Sequence, residues 1–179
     1  MQLSSLDPPG TRRRLPAPFA FSERTPDEDE VLKAVRHMKP FDTLPRILIP
    51  SSRYAWRPPR LFYAWPAPEK VLLDYAKKNK LARRARRKLS LTATMYEALH
   101  AMIRGDGVAS INPSYLWINL SPIGMTDGST ILVSVYTNYD LKREDLPSDE
   151  MVEKIGQRLG MEGPPKWYLD GYRWCWEER

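Results

Sequence analysis

Residues 115–120, Tyr-Leu-Trp-Ile-Asn-Leu, and residues 130–136, Thr-Ile-Leu-Val-Ser-Val-Tyr, decide the fold class. Both runs are dense in β-branched and aromatic side chains. A loop holding Gly124, Asp127 and Gly128 separates them. That combination predicts an antiparallel hairpin. Downstream, Ser148 follows Pro147 and reads as the N-cap of a helix. Val152, Ile155 and Leu159 share its apolar face, and Gly160 closes it. An aromatic tail follows, with Pro164, Pro165, Trp167, Tyr168, Tyr172, Trp174 and Trp176.

Toward the N-terminus, Thr94-Met95-Tyr96-Glu97 has the form of a capping box. It predicts a helix with a buried stripe of Tyr96, Leu99, Met102 and Ile103, ended by Gly105. Before it, Val71, Tyr75, Ala82, Ala85 and Leu89 recur at helical spacing after Pro68. One helix of about 20 residues could run from Glu69 to Leu89, with Asn79 as a candidate break into two. Arg46-Ile47-Leu48-Ile49 and Leu61-Phe62-Tyr63-Ala64-Trp65 look like short strands in a proline-rich stretch. Tyr54-Ala55-Trp56 echoes Tyr63-Ala64-Trp65, but two short copies do not make a repeat protein. Thr25-Pro26-Asp27-Glu28 is a further capping box, opening a helix with Val31, Leu32 and Val35 on its apolar face. Residues 1–24 hold Pro8, Pro9, Pro16, Pro18 and little periodicity, and read as a flexible arm. Helices and antiparallel strands in separate runs indicate an α+β fold. The expected architecture is a small antiparallel sheet of about three to five strands with three or four helices on one face. It forms a single domain over 25–179 behind the arm.

The chain has 179 residues, 42% hydrophobic and 28% charged, close to globular averages and unlike a disordered chain. Cys175 is the one cysteine, so no internal disulfide framework exists. Residues 1–10 lack the apolar core of a secretory signal, and no apolar run reaches membrane-spanning length. Arg12, Arg13 and Arg14 in the leader suggest a transit peptide, while Asp7 argues against one. An intracellular protein, cytoplasmic or nuclear, is the expectation.

Charge is concentrated in one place. Residues 77–88 read KKNKLARRARRK. Of 28 Lys and Arg, eight lie here: Lys77, Lys78, Lys80, Arg83, Arg84, Arg86, Arg87 and Lys88. The other 20 face 22 Asp and Glu, so the remainder of the chain is close to neutral. On a helix, Lys77, Lys80, Arg84, Arg87 and Lys88 would form one stripe able to neutralise backbone phosphates. The same residues fit a nuclear-import signal, an anionic membrane surface or an acidic partner. They also fit a solvated helix face with arginine stems over apolar neighbours. Tyr54, Trp56, Tyr63 and Trp65 form a candidate aromatic contact surface, with packing onto the core as the alternative. Arg57-Pro58-Pro59-Arg60 could present a short polyproline-II ligand.

Catalytic patterns are absent. There is no P-loop, GxGxxG or GxSxG pattern. His37 sits late in an expected helix, His100 within another, and neither has metal-ligand neighbours at the usual spacing. Cys175, between two tryptophans, reads as an inert apolar thiol. No cofactor or metal is expected. Leu73-Asp74-Tyr75-Ala76-Lys77-Lys78-Asn79 and Pro164-Pro165-Lys166-Trp167-Tyr168-Leu169-Asp170 resemble segments of short uncharacterised proteins of mushroom-forming fungi. That resemblance covers two patches and implies no activity. The reading that results is a non-catalytic interaction module whose partner is another protein or a second copy. A nucleic-acid-binding protein using a basic helix at 77–88 is one alternative. A small enzyme with an acidic and aromatic pocket assembled only by folding is another.

Overall fold

The computed structural model describes residues 4–85, 88–104, 116–119, 125 and 131–179. The fold is α+β, and its centre is a four-stranded antiparallel sheet. In chain order the elements are α1 (Glu28–Val35), a 3-10 turn at Arg46–Leu48, β1 (Trp56–Arg57), β2 (Leu61–Ala67) and α2 (Glu69–Lys78). Then come β3 (Arg84–Ala85), β4 (Lys88–Leu89), α3 (Leu91–Ile103), β5 (Trp117–Asn119) and β6 (Ile131–Thr137). The chain ends with α4 (Asp149–Leu159), β7 (Lys166–Leu169) and β8 (Glu177–Glu178). The main sheet has the order β5-β6-β2-β7, and β1-β8 and β3-β4 form separate two-stranded pairs.

The expected hairpin is β5 paired antiparallel with β6. Its connecting loop lies outside the described residues. The last helix forms as its caps dictate. Ser148 Oγ accepts from Met151 N, and Gly160 turns into the left-handed region at φ 66°. Val152, Ile155 and Leu159 are buried.

Register divides the sheet into two faces. Tyr63 pairs with Tyr136 and Trp167, and Trp65 pairs with Val133. These residues face the helices and the N-terminal segment. Gly156 of α4 lies so close to Trp65 that an added Cβ would sit 3.0 Å from Cζ2. The Tyr96 hydroxyl of α3 reaches the backbone of Ile118 on β5, and α2 packs on α3. The register slips between Tyr63 and Ala64, where β6 skips Val135. This bulge puts Tyr136 and Ser134 on opposite faces although they are two residues apart. Phe62, Ser134, Thr137, Trp117 and Asn119 therefore share the far face.

Four expectations need correction. The helix that opens at Glu69 stops at Lys78 with Asn79 as its cap, at the candidate break, and β3 and β4 follow in place of a second helix. Asn79 Nδ2 donates to Tyr75 O, Lys80 adopts φ 57°, and Leu81 N donates to Ala76 O at 2.9 Å. This is the Schellman ending, with lysine in the left-handed position. The chain then reverses, with β3 and β4 paired antiparallel, so the basic segment is not one helix: only Lys77 and Lys78 are helical. Arg46–Leu48 form a 3-10 turn instead of a strand, because Leu48 N and Ile49 N bond back to Pro45 O and Arg46 O. Ser90, and not Thr94, caps α3; Thr94 is buried and accepts from Arg83 N. Asp27, and not Thr25, caps α1, accepting from Asp29 N and Glu30 N, and Leu32 stays 38% exposed.

The N-terminal leader touches the core at several points. Leu6 bridges Leu44 in parallel, and Ser5 O accepts from Trp167 Nε1 at 2.8 Å. Ser5 Oγ and the Tyr136 hydroxyl share a hydrogen bond of 3.0 Å. Phe19 is fully buried against Phe41, and its carbonyl accepts from Trp176 Nε1.

Candidate functional site

Of the eight basic residues, four lie on three elements and two on the turn between α2 and β3. Lys77 and Lys78 close α2, where cations complement the helix dipole. Lys80 occupies the left-handed turn. Arg83 follows, its guanidinium 2.9 Å from Glu97 Oε1 in a half-exposed ion pair. Arg84 and Lys88 belong to β3 and β4, and Arg86 and Arg87 lie outside the described residues. The single stripe expected on one helix face is therefore not formed.

The four candidate aromatic residues separate into two pairs. Tyr63 and Trp65 are buried, at 5% and 2% exposure, and leave the proposed contact surface. They lie on β2, an interior strand with β6 and β7 on either side, so core packing claims them. Tyr63 stacks on Tyr136 with centroids 5.0 Å apart, and Trp65 Nε1 donates to Gly163 O. Burial, with a smaller contribution from the Asp149 charge, pushes the Tyr63 hydroxyl up to about 12.

Tyr54 and Trp56 stand in a different setting. They line an open groove of about 660 Å³ with Phe21, Ile47, Ile49 and Trp176. Phe21 meets Trp56 and Trp176 edge-on, with centroids 5.7 and 5.3 Å away. Phe21, Ile47 and Tyr54 are 49%, 59% and 68% exposed. The groove is built where residues 176–179 meet the segment at 55–57: β1 pairs with β8, and Arg179 N donates to Ala55 O. The 3-10 turn leaves Leu48 buried and Ile47 turned out. Arg46 and Lys142 line the groove and, among the described residues, no Asp or Glu does; Glu177 and Glu178 on β8 stay outside the lining. Sequence reading found Tyr54 and Trp56, and Trp176 within the aromatic tail, but missed Phe21 and Ile47. Pairing between residues about 120 positions apart leaves no periodic signal to read.

The candidates for chemistry are scattered. His37 is exposed just past α1, and His100 lies on α3 with its ring tilted against Tyr96. Cys175 is half-buried, and burial, followed by the charge of Glu177, pushes its thiol up, which favours the unreactive protonated form. Asp42 and Glu150 are pushed down by hydrogen bonds and charge from Lys166 and Lys154. Both are exposed ion-pair partners rather than buried acids. Among the described residues, no group of three or more His, Cys, Asp or Glu is placed to hold a metal ion. Also among them, no helix is long and apolar enough to cross a membrane.

Comparison with family models, with curated proteins and with solved structures finds no match to this chain.

Proposed function

We propose that this protein is a non-catalytic interaction module that receives an apolar, acidic segment of a partner protein in the Tyr54–Trp56 groove. The observation that carries the reading is convergence. Phe21, Ile47 and Tyr54 come from three separate stretches of chain, and all stand exposed around one concavity. Exposed apolar side chains scattered singly need no explanation, but a contiguous patch rimmed by polar groups is a feature of binding surfaces. Aromatic anchors in a concave site also supply large contact area at low entropic cost. Among the described residues the lining has two cations and no Asp or Glu. Charge complementarity therefore selects an occupant with Asp or Glu beside its apolar anchors. An intracellular setting, cytoplasmic or nuclear, accords with a single unpaired cysteine.

The nucleic-acid reading of residues 77–88 rests on charge alone once the helix is gone. The enzyme reading finds no metal-holding cluster and no activated nucleophile among the described residues to support it. Selection of random peptides on the immobilised protein tests the groove. The expected peptides combine aromatic or aliphatic anchors with acidic residues, and Ile47→Asp abolishes their binding while leaving the circular dichroism spectrum unchanged. Peptides that bind Ile47→Asp as well as the parent would sink the assignment.

A further inference from the structure

The far face of the main sheet carries a second concavity, separate from the apolar groove and different in chemistry. Its volume is about 470 Å³. Phe62, Ser134 and Thr137 contribute to it from the two interior strands. Trp117 on β5 and Tyr172 just past β7 bound it at opposite edges, 55% and 84% exposed. At the usual strand spacing the edge strands are about 14 Å apart. The β6 bulge places the Ser134 side chain on this face, while Tyr136, which also borders the concavity, pairs with Tyr63.

Between the aromatic edges lie polar groups of both kinds. Asn119 Nδ2 donates to Ser134 Oγ, and its Oδ1 takes no hydrogen bond among the described residues. Asp140 Oδ2 accepts from Thr137 N and Oγ1, at 2.8 and 2.7 Å, which fixes the carboxylate and leaves Oδ1 without one. Arg60 is held by the ring of Tyr139, 5.5 Å from its centroid, and by Asp170 at 3.7 Å. Asp170 is in turn nearly buried, and its Oδ1 accepts from Tyr172 N, which seats the tyrosine. The lining thus includes two arginines, Arg60 and Arg143, and two aspartates, Asp140 and Asp170.

We infer that this face is a binding site for a short neutral oligosaccharide. Three properties select that class. Both arginines are already engaged, Arg60 with Asp170 and Arg143 with Asp145, so a phosphate or a nucleic-acid backbone meets neutralised guanidinium groups beside the Asp140 carboxylate and gains no net attraction. The polar groups offer both donors and acceptors in planar, preset orientations, which suits a ring of hydroxyls that can do either. The flat faces of Trp117 and Tyr172 suit the apolar C–H faces of sugar rings. Their spacing across the sheet suits a chain of rings rather than one.

The test is calorimetric titration of the full chain with cellotetraose, chitotetraose, mannotetraose and galactotetraose, alongside oligothymidylate as the anionic competitor. Binding of at least one of the four sugars is expected. Tyr172→Ala and Trp117→Ala should each weaken it by about tenfold or more, with unchanged thermal midpoint for the highly exposed Tyr172. Asp140→Asn keeps the shape and should also weaken it, because a hydroxyl donor prefers the charged acceptor. Absence of heat with all four sugars overturns the proposal. So does sugar binding that survives both aromatic substitutions. Oligothymidylate binding lost in Tyr172→Ala, with no sugar bound, assigns the face to nucleic acid instead.

Discussion

Asn138 joins three stretches of chain through one side chain. Its Nδ2 donates to Leu48 O at 2.7 Å and Pro59 O at 2.9 Å, and its Oδ1 accepts from Leu61 N at 2.9 Å. It is 1% exposed. Removing it strands a backbone donor and two carbonyls where water does not replace it, at roughly 1–3 kcal/mol per unsatisfied group. Asn138→Ala should therefore cost about 3 kcal/mol or more in urea denaturation; a loss below about 1 kcal/mol would mean the site rehydrates. Tyr63 and Tyr136 make a second prediction. Burial is the main cause of the raised pKa of both hydroxyls, Tyr63 to about 12 and Tyr136 higher still. Between the unfolded value near 10 and the folded value, the native state holds protons that the unfolded chain releases. This contribution to stability is complete below pH 10 and is lost as pH rises through 12. Tyr63→Phe should flatten the alkaline fall of the thermal midpoint, and an identical slope in parent and variant would contradict the burial account. None of this was legible beforehand. The sequence shows an asparagine after a strand and a tyrosine inside one, and only the tertiary partners distinguish them from ordinary turn and surface residues.

At the scale of elements, the helix ends decided what could be read. Ser148 and Gly160 carry unambiguous chemistry, and α4 forms between them. The segment after Asn79 has no such punctuation. Its apolar residues keep helical spacing and its Lys and Arg are good helix formers, so local pattern favours continuation. The competing signal is one Asn that satisfies the Tyr75 carbonyl, followed by a lysine in a conformation lysine rarely takes. Lys80→Gly tests that balance. Glycine removes a left-handed penalty of about 1–2 kcal/mol while adding roughly 0.5–1 kcal/mol of unfolded-state freedom. A net gain of about 0.5 kcal/mol is expected, read as a higher urea midpoint at unchanged slope. A loss of stability would mean the helix continues through Lys80. The pairing of β5 with β6 was legible because β-branched and aromatic residues are dense in both runs. The Val135 bulge was not, because it arises from register against β2 and moves Ser134 to the face that forms the polar concavity.

At the scale of the molecule, the N-terminal leader decides whether the apolar groove exists at all. Prolines and arginines made residues 1–24 read as an arm, and composition alone supports that reading. The packing points elsewhere. Phe19 is fully buried, makes an edge contact with Phe41 at 4.9 Å, and lends its carbonyl to Trp176. Two residues on, Phe21 forms a wall of the groove against Trp56 and the same Trp176. Tryptophan 176 thus ties the leader to the C-terminal tail, and the groove lies along that tie. Phe19→Ala should cost about 3–5 kcal/mol if the leader is part of the core. A residue on an arm free of the domain would change stability by less than about 0.5 kcal/mol. The consequence for binding is separable. A chain lacking residues 1–24 keeps Tyr54 and Ile47 but loses Phe21, so even if it folds it should no longer select the acidic, apolar peptides. Retention of both stability and peptide binding in that truncated chain would show the leader to be dispensable. It would also move the binding surface off the groove, since Phe21 is the ring that meets both Trp56 and Trp176.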